Sequence, residues 1–264
     1  MCKDKNNFKA LKRYGQNFLI DDNILNIIIS SSDLNNNDVI LEIGPGHGVL
    51  TRKLLDNNIK FVHAVEIDTR FKSDLDSLES DHENLKVNYF DAMKFNYLEL
   101  DPVPNKIIAN IPYNITTPLI WKLLGFGFKN FILMVQEESA LRITAPKNTK
   151  LRYPLGIAIE ASGRAEIIKK VSRKCFRPVP KVNSAILKIE INKNAKLNMI
   201  INNFEKEQGD LVLGDKINET TSKIDFIEPY FIADVNNANG ADDGFIRQIF
   251  NKKPNNFYGY CAYN

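Results

Sequence analysis

Three glycines at alternate positions, Gly44, Gly46 and Gly48, could bring the protein backbone close to a bound ligand. Glycine has no side chain to collide with that ligand, and it tolerates the tight turns that such a loop needs. The third glycine comes one residue earlier than in the G-x-G-x-x-G fingerprint of dinucleotide-binding loops. A glycine turn after a strand is often purely structural, so the turn alone does not predict a ligand site. The acidic residues that follow it favour one.

Two acidic residues follow the glycine turn at positions suited to a nucleoside. Glu66 lies 22 residues after Gly44 and ends a predicted strand, where a carboxylate can accept both hydrogens of a ribose diol. Asp91 ends the next predicted strand and could accept the exocyclic amine of an adenine, although a helix cap or a loop turn would explain it if it stood alone. Together they describe an adenosine-bearing ligand without a pyrophosphate, and S-adenosylmethionine fits the glycine spacing better than NAD. Glu42, an acid within the preceding strand, is predicted to lie near the methionine end of that ligand.

The segment Asn110-Ile111-Pro112-Tyr113 follows the fourth predicted strand and could hold the amine of a base. The Asn110 amide oxygen and the carbonyl before Pro112 can accept the two amine hydrogens, which turns the nitrogen lone pair toward a methyl sulfonium. Proline makes the segment rigid, and Tyr113 can stack on a base that has left its helix. A β-turn with a buried tyrosine would also explain these four residues, but the predicted cofactor residues beside them favour methylation of a base amine.

Alternating strands and helices are predicted to position these residues. Short apolar runs typical of buried strands cover residues 39–43, 61–65, 85–89, 106–109 and 130–135. Stretches with helical spacing separate them, beginning with a helix that Asp21 or Asp22 can cap. The alternation predicts an α/β fold with a parallel sheet between helices, and it places the candidate residues at the carboxyl edge of that sheet. Two further strands, residues 166–171 and 185–191, are predicted on either side of a segment that contains Phe176.

The composition is that of a soluble globular chain. Of 264 residues, 44% are hydrophobic and 25% are charged, which excludes disorder, and no apolar run is long enough to span a membrane. Three distant cysteines and three histidines predict neither a disulfide framework nor a metal site, and the N-terminus lacks the apolar run of a secretory signal. The net charge of +3 is mild, but residues 164–181 hold seven basic residues against Glu166 alone. A solvated face and a nucleic-acid surface explain that run about equally well.

The sequence resembles the ribosomal RNA adenine N6,N6-dimethyltransferases, also called dimethyladenosine transferases, over about residues 11–191. The matching segments occur in the order typical of that family: GQNFLID at 15–21, LEIGPGHG at 41–48, VEID at 65–68, DA at 91–92, NIPYNI at 110–115, LMVQEE at 133–138 and FRPVPKVNSA at 176–185. The resemblance implies a Rossmann-like S-adenosylmethionine-dependent methyltransferase domain over residues 1–191, with a basic leader at 1–20. It also implies a small helical C-terminal domain over residues 192–264, which is net acidic here and departs from the basic stretch usual in the family.

The resemblance implies a role for each matching residue. The residues implied to bind S-adenosylmethionine are Asn17, Leu19, Gly44, Gly46, Glu66, Asp91 and Asn110. Those implied to act on the target are Asn110, Pro112, Tyr113 and Phe176, and the rings of Tyr113 and Phe176 would enclose a flipped adenine. The basic residues around Phe176 would contact RNA phosphates while the aromatic rings hold the base.

The implied activity is transfer of methyl groups to N6 of two adjacent adenines near the 3′ end of small-subunit ribosomal RNA, with a role in small-subunit biogenesis. The implied partners are that RNA and the pre-ribosomal particle, bound by a monomer in the cytoplasm, or in the nucleolus of a eukaryote, without a metal or a membrane. Two alternatives stay open: a large-subunit rRNA adenine methylase of the macrolide-resistance type, and a non-catalytic nucleic-acid-binding transcription factor of the same fold. The glycine spacing disfavours a NAD-dependent oxidoreductase.

Overall fold

A computed structural model describes residues 15–147 and 149–191, and a seven-stranded sheet forms the centre of this part of the chain. The strands are β1 (Phe18–Leu19), β2 (Val39–Ile43), β3 (Phe61–Glu66), β4 (Leu85–Tyr89), β5 (Lys106–Asn110), β6 (Asn130–Gln136), β7 (Gly163–Val171), β8 (Phe176–Arg177) and β9 (Ser184–Ile191). The order in the large sheet is β4-β3-β2-β5-β6-β9-β7. The strands from β4 to β6 run parallel, whereas β9 lies antiparallel to both β6 and β7. This confirms the predicted α/β, Rossmann-like sheet, and the two antiparallel strands extend one edge of it.

The central strands form where the sequence has apolar runs that are buried on both faces. Every residue of β2 is buried, and so are Phe131–Val135 of β6. Strands of this kind belong in the middle of a parallel sheet whose faces are covered by helices. The bounds predicted for the five parallel strands differ from the observed bounds by no more than one residue.

Helices connect the strands and cover the sheet. They are α1 (Asp22–Ser31), α2 (Val49–Leu55), α3 (Lys72–Asp81), α4 (Thr116–Gly125), α5 (Glu137–Ile143) and α6 (Pro154–Ser162). The side chain of Asp21 caps α1 by accepting hydrogen bonds from the amides of Asn23 and Ile24, at 3.0 and 3.2 Å. The helix α6 is not predicted from the sequence, because its apolar residues form a nearly continuous run without helical spacing.

A two-stranded antiparallel ribbon joins the leader to the segment that contains Phe176. In it, Phe18 of β1 pairs with Arg177 of β8, and Leu19 pairs with Phe176. The amide of Ile20 extends the ribbon by donating to the carbonyl of Cys175 at 2.9 Å. These strands are too short to be recognised from the sequence, and their pairing links positions more than 150 residues apart.

The predicted C-terminal domain, residues 192–264, and most of the basic leader lie outside the described residues. In the part that the structure describes, no helix is long and apolar enough to cross a membrane.

Candidate active site

A cavity of about 290 Å³ lies at the carboxyl ends of β2, β3, β4 and β5. The strand order reverses between β2 and β5, and ligands of open α/β sheets bind at such a switch point. The structure brings most of the predicted site residues to this cavity: Asn17, Gly44, Gly46, Glu66, Asp91, Asn110, Pro112 and Tyr113. The elements that position them are the glycine turn, the strand ends and the leader.

The glycine turn requires glycine at its first two positions. Gly44 and Gly46 have φ angles of +71° and +56°, which residues with side chains rarely adopt. A Cβ atom on Gly46 would also lie 3.2 Å from the ring of Phe18, tighter than most real contacts. The turn is therefore packed directly against the leader on one side and open to the cavity on another.

Glu66 is almost fully buried and joins the glycine turn to the end of β3. One carboxylate oxygen accepts the amide of Gly46 at 3.0 Å, and the other accepts the amide of Asp68 at 2.8 Å. Burial raises the pKa of Glu66, and these two amide hydrogen bonds lower it in part. Each oxygen of a carboxylate can accept more than one hydrogen bond, so the group can still receive the hydroxyls of a ribose.

Asp91 follows β4 and shapes the loop around itself. Its Oδ1 atom accepts the amide of Met93 at 2.9 Å, and the second oxygen stays available to a ligand. Two exposed apolar residues next to the acids, Ile67 (42% exposed) and Phe90 (50% exposed), also line the cavity. Neither residue is predicted from the sequence, although each directly adjoins an acid at a strand end, and that adjacency is the signal that could have indicated them.

Asn110, Pro112 and Tyr113 form a rigid segment at the end of β5. The Asn110 amide nitrogen donates to the carbonyl of Asn17 at 3.0 Å, which leaves the amide oxygen as an acceptor. The Tyr113 hydroxyl lies 2.6 Å from the Ser184 hydroxyl oxygen, and burial raises the pKa of Tyr113. These contacts fix both side chains before any ligand arrives.

A second groove, of about 1300 Å³, adjoins the first cavity. Asn110 and Tyr113 line both spaces, so the two meet at the segment that could hold a target amine. Leu19, which the resemblance implies to bind the cofactor, lines this groove and does not line the smaller cavity. Residues 177–182 form part of its outer wall.

Glu42 is fully buried in β2 and also lines the groove. Its Oε2 atom makes no hydrogen bond within the described residues. Burial raises the pKa of Glu42 to about 8; the neighbouring Thr51 hydroxyl opposes that shift, and the charge of Glu66 adds to it. An acid of this kind is ready to receive a donor from a ligand.

The structure does not place Phe176 where the resemblance implies. Its side chain is 0% exposed and belongs to the hydrophobic core, and it lines neither the cavity nor the groove. The reason is the pairing of β8 with β1, because alternate residues of a strand point to opposite sides. Phe176 points inward and Arg177 outward, so the predicted pair of rings around a base is not formed in this structure.

The family model and the curated relatives indicate one family. The family model described as ribosomal RNA adenine dimethylase matches residues 7–206. The chain is 39% identical to "Ribosomal RNA small subunit methyltransferase A" of Streptococcus thermophilus over 198 residues, 72% of this chain and 68% of that protein. It is 38% identical to the protein of the same name from Clostridium perfringens over 190 residues, 70% of this chain and 66% of that protein. The chain thus spans about two thirds of the length of these curated relatives.

Two solved structures are similar in both fold and sequence. A dimethyladenosine transferase from Plasmodium falciparum has a TM-score of 0.61 and 35% identity, covering 66% of this chain and 63% of that one. The 23S rRNA methyltransferase ErmE has a TM-score of 0.59 and 32% identity, covering 67% of this chain and 70% of that one.

Proposed function

The chain belongs to the ribosomal RNA adenine dimethylase family, and we propose that it methylates N6 of two adjacent adenines near the 3′ end of small-subunit ribosomal RNA. The observation that carries the proposal is the meeting of two spaces at Asn110 and Tyr113. The smaller space has the residues suited to a nucleoside cofactor, and the larger one is open to a nucleic acid. The named relatives of small-subunit type support the choice of that RNA.

Methyltransferases of this family use S-adenosylmethionine, and the residues around the smaller cavity fit that molecule. A Cβ atom on Gly44 would lie 3.9 Å from its nearest neighbours, in Asn110 and Pro112, so the missing side chain leaves space there. Glu66 offers a buried carboxylate for the ribose hydroxyls. Asp91 would accept the exocyclic amine of the adenine, while Ile67 and Phe90 offer it apolar surfaces. When bound, the cofactor supplies an activated methyl group on a sulfonium.

The Asn110-Ile111-Pro112-Tyr113 segment would orient the target amine. The Asn110 amide oxygen and the Ile111 carbonyl accept its two hydrogens, and Tyr113 stacks on the base. A neutral aromatic amine needs no strong base before it takes a methyl group, so positioning supplies most of the rate. Phe176 could join Tyr113 around the base after the β1–β8 ribbon opens, because the ring is buried while the ribbon is closed.

We further propose that the protein acts as a monomer on the small-subunit particle and contributes to its biogenesis. Its place of action would be the cytoplasm, or the nucleolus in a eukaryotic source, because that is where such particles are found. The exposed basic residues between Arg164 and Lys181 support contact with RNA phosphates.

The second candidate function is methylation of large-subunit ribosomal RNA. The similarity to ErmE, a 23S rRNA methyltransferase, favours it almost as strongly as the similarity to the dimethyladenosine transferase favours the first. Both activities would use the same cavity and the same Asn110 segment.

Transfer of labelled methyl groups to purified ribosomal subunits distinguishes these candidates. The protein and labelled S-adenosylmethionine are incubated with unmethylated small or large subunits, and the modified base is mapped. We expect label at adjacent adenines near the 3′ end of the small-subunit RNA. Label in the large subunit would instead support the second candidate, and label in neither would contradict both.

A further inference from the structure

Lys122 of α4 lies beneath the loop that carries Asp91. Its Nζ atom donates a hydrogen bond to the carbonyl of Met93 at 2.8 Å. The same ammonium lies over the rings of Tyr97 and Phe126, 5.3 and 5.7 Å from their centres. Lys122 is partly buried, and its ammonium contacts both the loop and these two rings.

The carbonyl groups of the first three residues of the loop, Asp91, Ala92 and Met93, all accept hydrogen bonds. The carbonyl of Asp91 accepts the amides of Lys94 and Phe95, at 2.8 and 2.9 Å. The carbonyl of Ala92 accepts the buried hydroxyl of Tyr97 at 2.9 Å. Lys122 holds the next carbonyl, that of Met93, whose amide in turn donates to the Asp91 carboxylate. Fixing Met93 therefore fixes one oxygen of Asp91 and the direction of the other.

Burying the ammonium of Lys122 costs desolvation free energy. Burial lowers the pKa of Lys122 to about 8, although the charge of Asp91 raises it in part. An uncharged side chain would avoid that cost, so the ammonium is unfavourable for this site unless its contacts contribute something else. The neighbouring rings offset part of it through cation–π attraction.

We propose that Lys122 is a positioning residue for adenine recognition: it holds the Met93 carbonyl so that Asp91 is directed at the exocyclic amine of the cofactor. The inference rests on the proposed function, in which Asp91 accepts that amine. The proposal gives α4 a part in cofactor selectivity, although Lys122 does not line the cavity.

A purely structural lysine would contribute to stability without affecting selectivity for the amine. Lys106, at the start of β5, offers a matched control. Its Nζ atom donates to the carbonyls of Ser32 and Asp33 and to the Asp38 carboxylate, at 2.9, 2.6 and 2.8 Å. It thus holds a loop by the same kind of contacts, at the opposite end of the strand that carries Asn110.

The test compares two ligands by calorimetry: S-adenosylhomocysteine and its analogue with hydrogen in place of the exocyclic amine. We expect the wild type to prefer the amine-bearing ligand by about tenfold or more, the effect of one hydrogen bond to a charged group. Lys122→Met should reduce that preference to within about twofold, mainly by weakening S-adenosylhomocysteine. Lys122→Arg, which keeps a charged donor, should restore it, and Lys106→Met should keep it while lowering the melting temperature.

The outcomes distinguish a failure of the positioning role of Lys122 from a failure of the proposed function. If Lys122→Met keeps the wild-type preference, including the case where both affinities fall together, the positioning role is wrong. A wild type that binds both ligands equally would also overturn it, since Asp91 would then not recognise the amine. A wild type that binds neither ligand would overturn the proposed function itself.

Discussion

Glu66 combines a structural and a proposed functional role in one carboxylate. It holds the glycine turn through the amide of Gly46 and the β3 end through the amide of Asp68. A bound ribose would therefore contact a carboxylate whose position is already fixed, so binding would cost little conformational entropy of the Glu66 side chain.

Replacing Glu66 should weaken cofactor binding strongly. We expect Glu66→Ala to raise the dissociation constant of S-adenosylhomocysteine about ten- to a hundredfold, and Glu66→Gln, which keeps one acceptor, to raise it less. Isothermal calorimetry measures both. Glu79→Ala is the control, because it removes a carboxylate that pairs with Lys86 on the surface at 2.9 Å. Unchanged binding by Glu66→Ala would refute the ribose assignment.

Glu42 makes the stability of the protein depend on pH. The folded protein keeps this carboxyl protonated up to about pH 8, whereas an unfolded glutamate loses its proton near 4.5. A raised folded pKa contributes stability that is complete below the unfolded value and is lost as the pH rises through the folded value.

The Glu42→Gln variant should not lose that stability. Relative to the wild type, its free energy of unfolding should therefore increase by at least about 1 kcal/mol between about pH 5.5 and about pH 8. Denaturant titrations at the two pH values measure the difference. If the two proteins change in parallel, Glu42 does not titrate in this window.

The elements of the fold were predictable to different degrees. The parallel strands were predictable because β2 and β6 are apolar runs buried on both faces, and Asp21 marked the start of α1. The helix α6 was not, because packing rather than periodicity forms it: a Cβ on Gly156 would lie 2.5 Å from the carbonyl of Ile143.

The candidate site was predictable where its residues end strands and was not where distant segments meet. Glu66, Asp91 and Asn110 share an edge because parallel strands bring their carboxyl ends together. The burial of Phe176 depends on its pairing with Leu19, which no local pattern indicates. Lys122 was also missed, since it acts on the loop through the carbonyl of Met93.

The β1–β8 ribbon provides a test of the role proposed for Phe176. Phe176→Leu keeps an apolar side chain in the core and should cost about 1–2 kcal/mol of stability. Without the ring, turnover on small-subunit particles should fall about tenfold or more, since stacking contributes roughly 1–3 kcal/mol per base. The dissociation constant for S-adenosylhomocysteine should not change.

Phe131→Leu is the matched control for that variant, because Phe131 is equally buried but lies in β6. It should lower stability without lowering turnover. Wild-type turnover by Phe176→Leu would contradict the stacking role and leave Phe176 as a core residue.

The basic residues from Arg164 to Lys181 differ in whether they already form ion pairs within the protein. Arg164 pairs with Glu190, and Lys170 pairs with Glu137 at 2.8 Å. Lys174 and Lys181 are exposed and make no ion pair within the described residues. The second kind is the better candidate for contacts with RNA phosphates, because no protein partner must be given up.

Removing those two lysines should weaken binding to the particle and reduce its salt dependence. We expect the double variant Lys174→Ala, Lys181→Ala to bind small-subunit particles more weakly, with a salt slope lower by roughly one unit per lost phosphate contact. Titration of particle binding at several salt concentrations measures this. The Lys170→Ala variant should change the slope less, and an unaltered slope in the double variant would exclude both lysines from the RNA surface.

The most direct measurement is the yield of N6,N6-dimethyladenosine in unmethylated small-subunit particles, determined by nuclease digestion and mass spectrometry. The wild type should form two dimethyladenosines per particle. Asn110→Ala should form none while still binding S-adenosylhomocysteine with only partly reduced affinity, because the residue orients the amine at the end of β5. Dimethyladenosine formation by Asn110→Ala at the wild-type rate, or its absence with the wild type, would contradict the account.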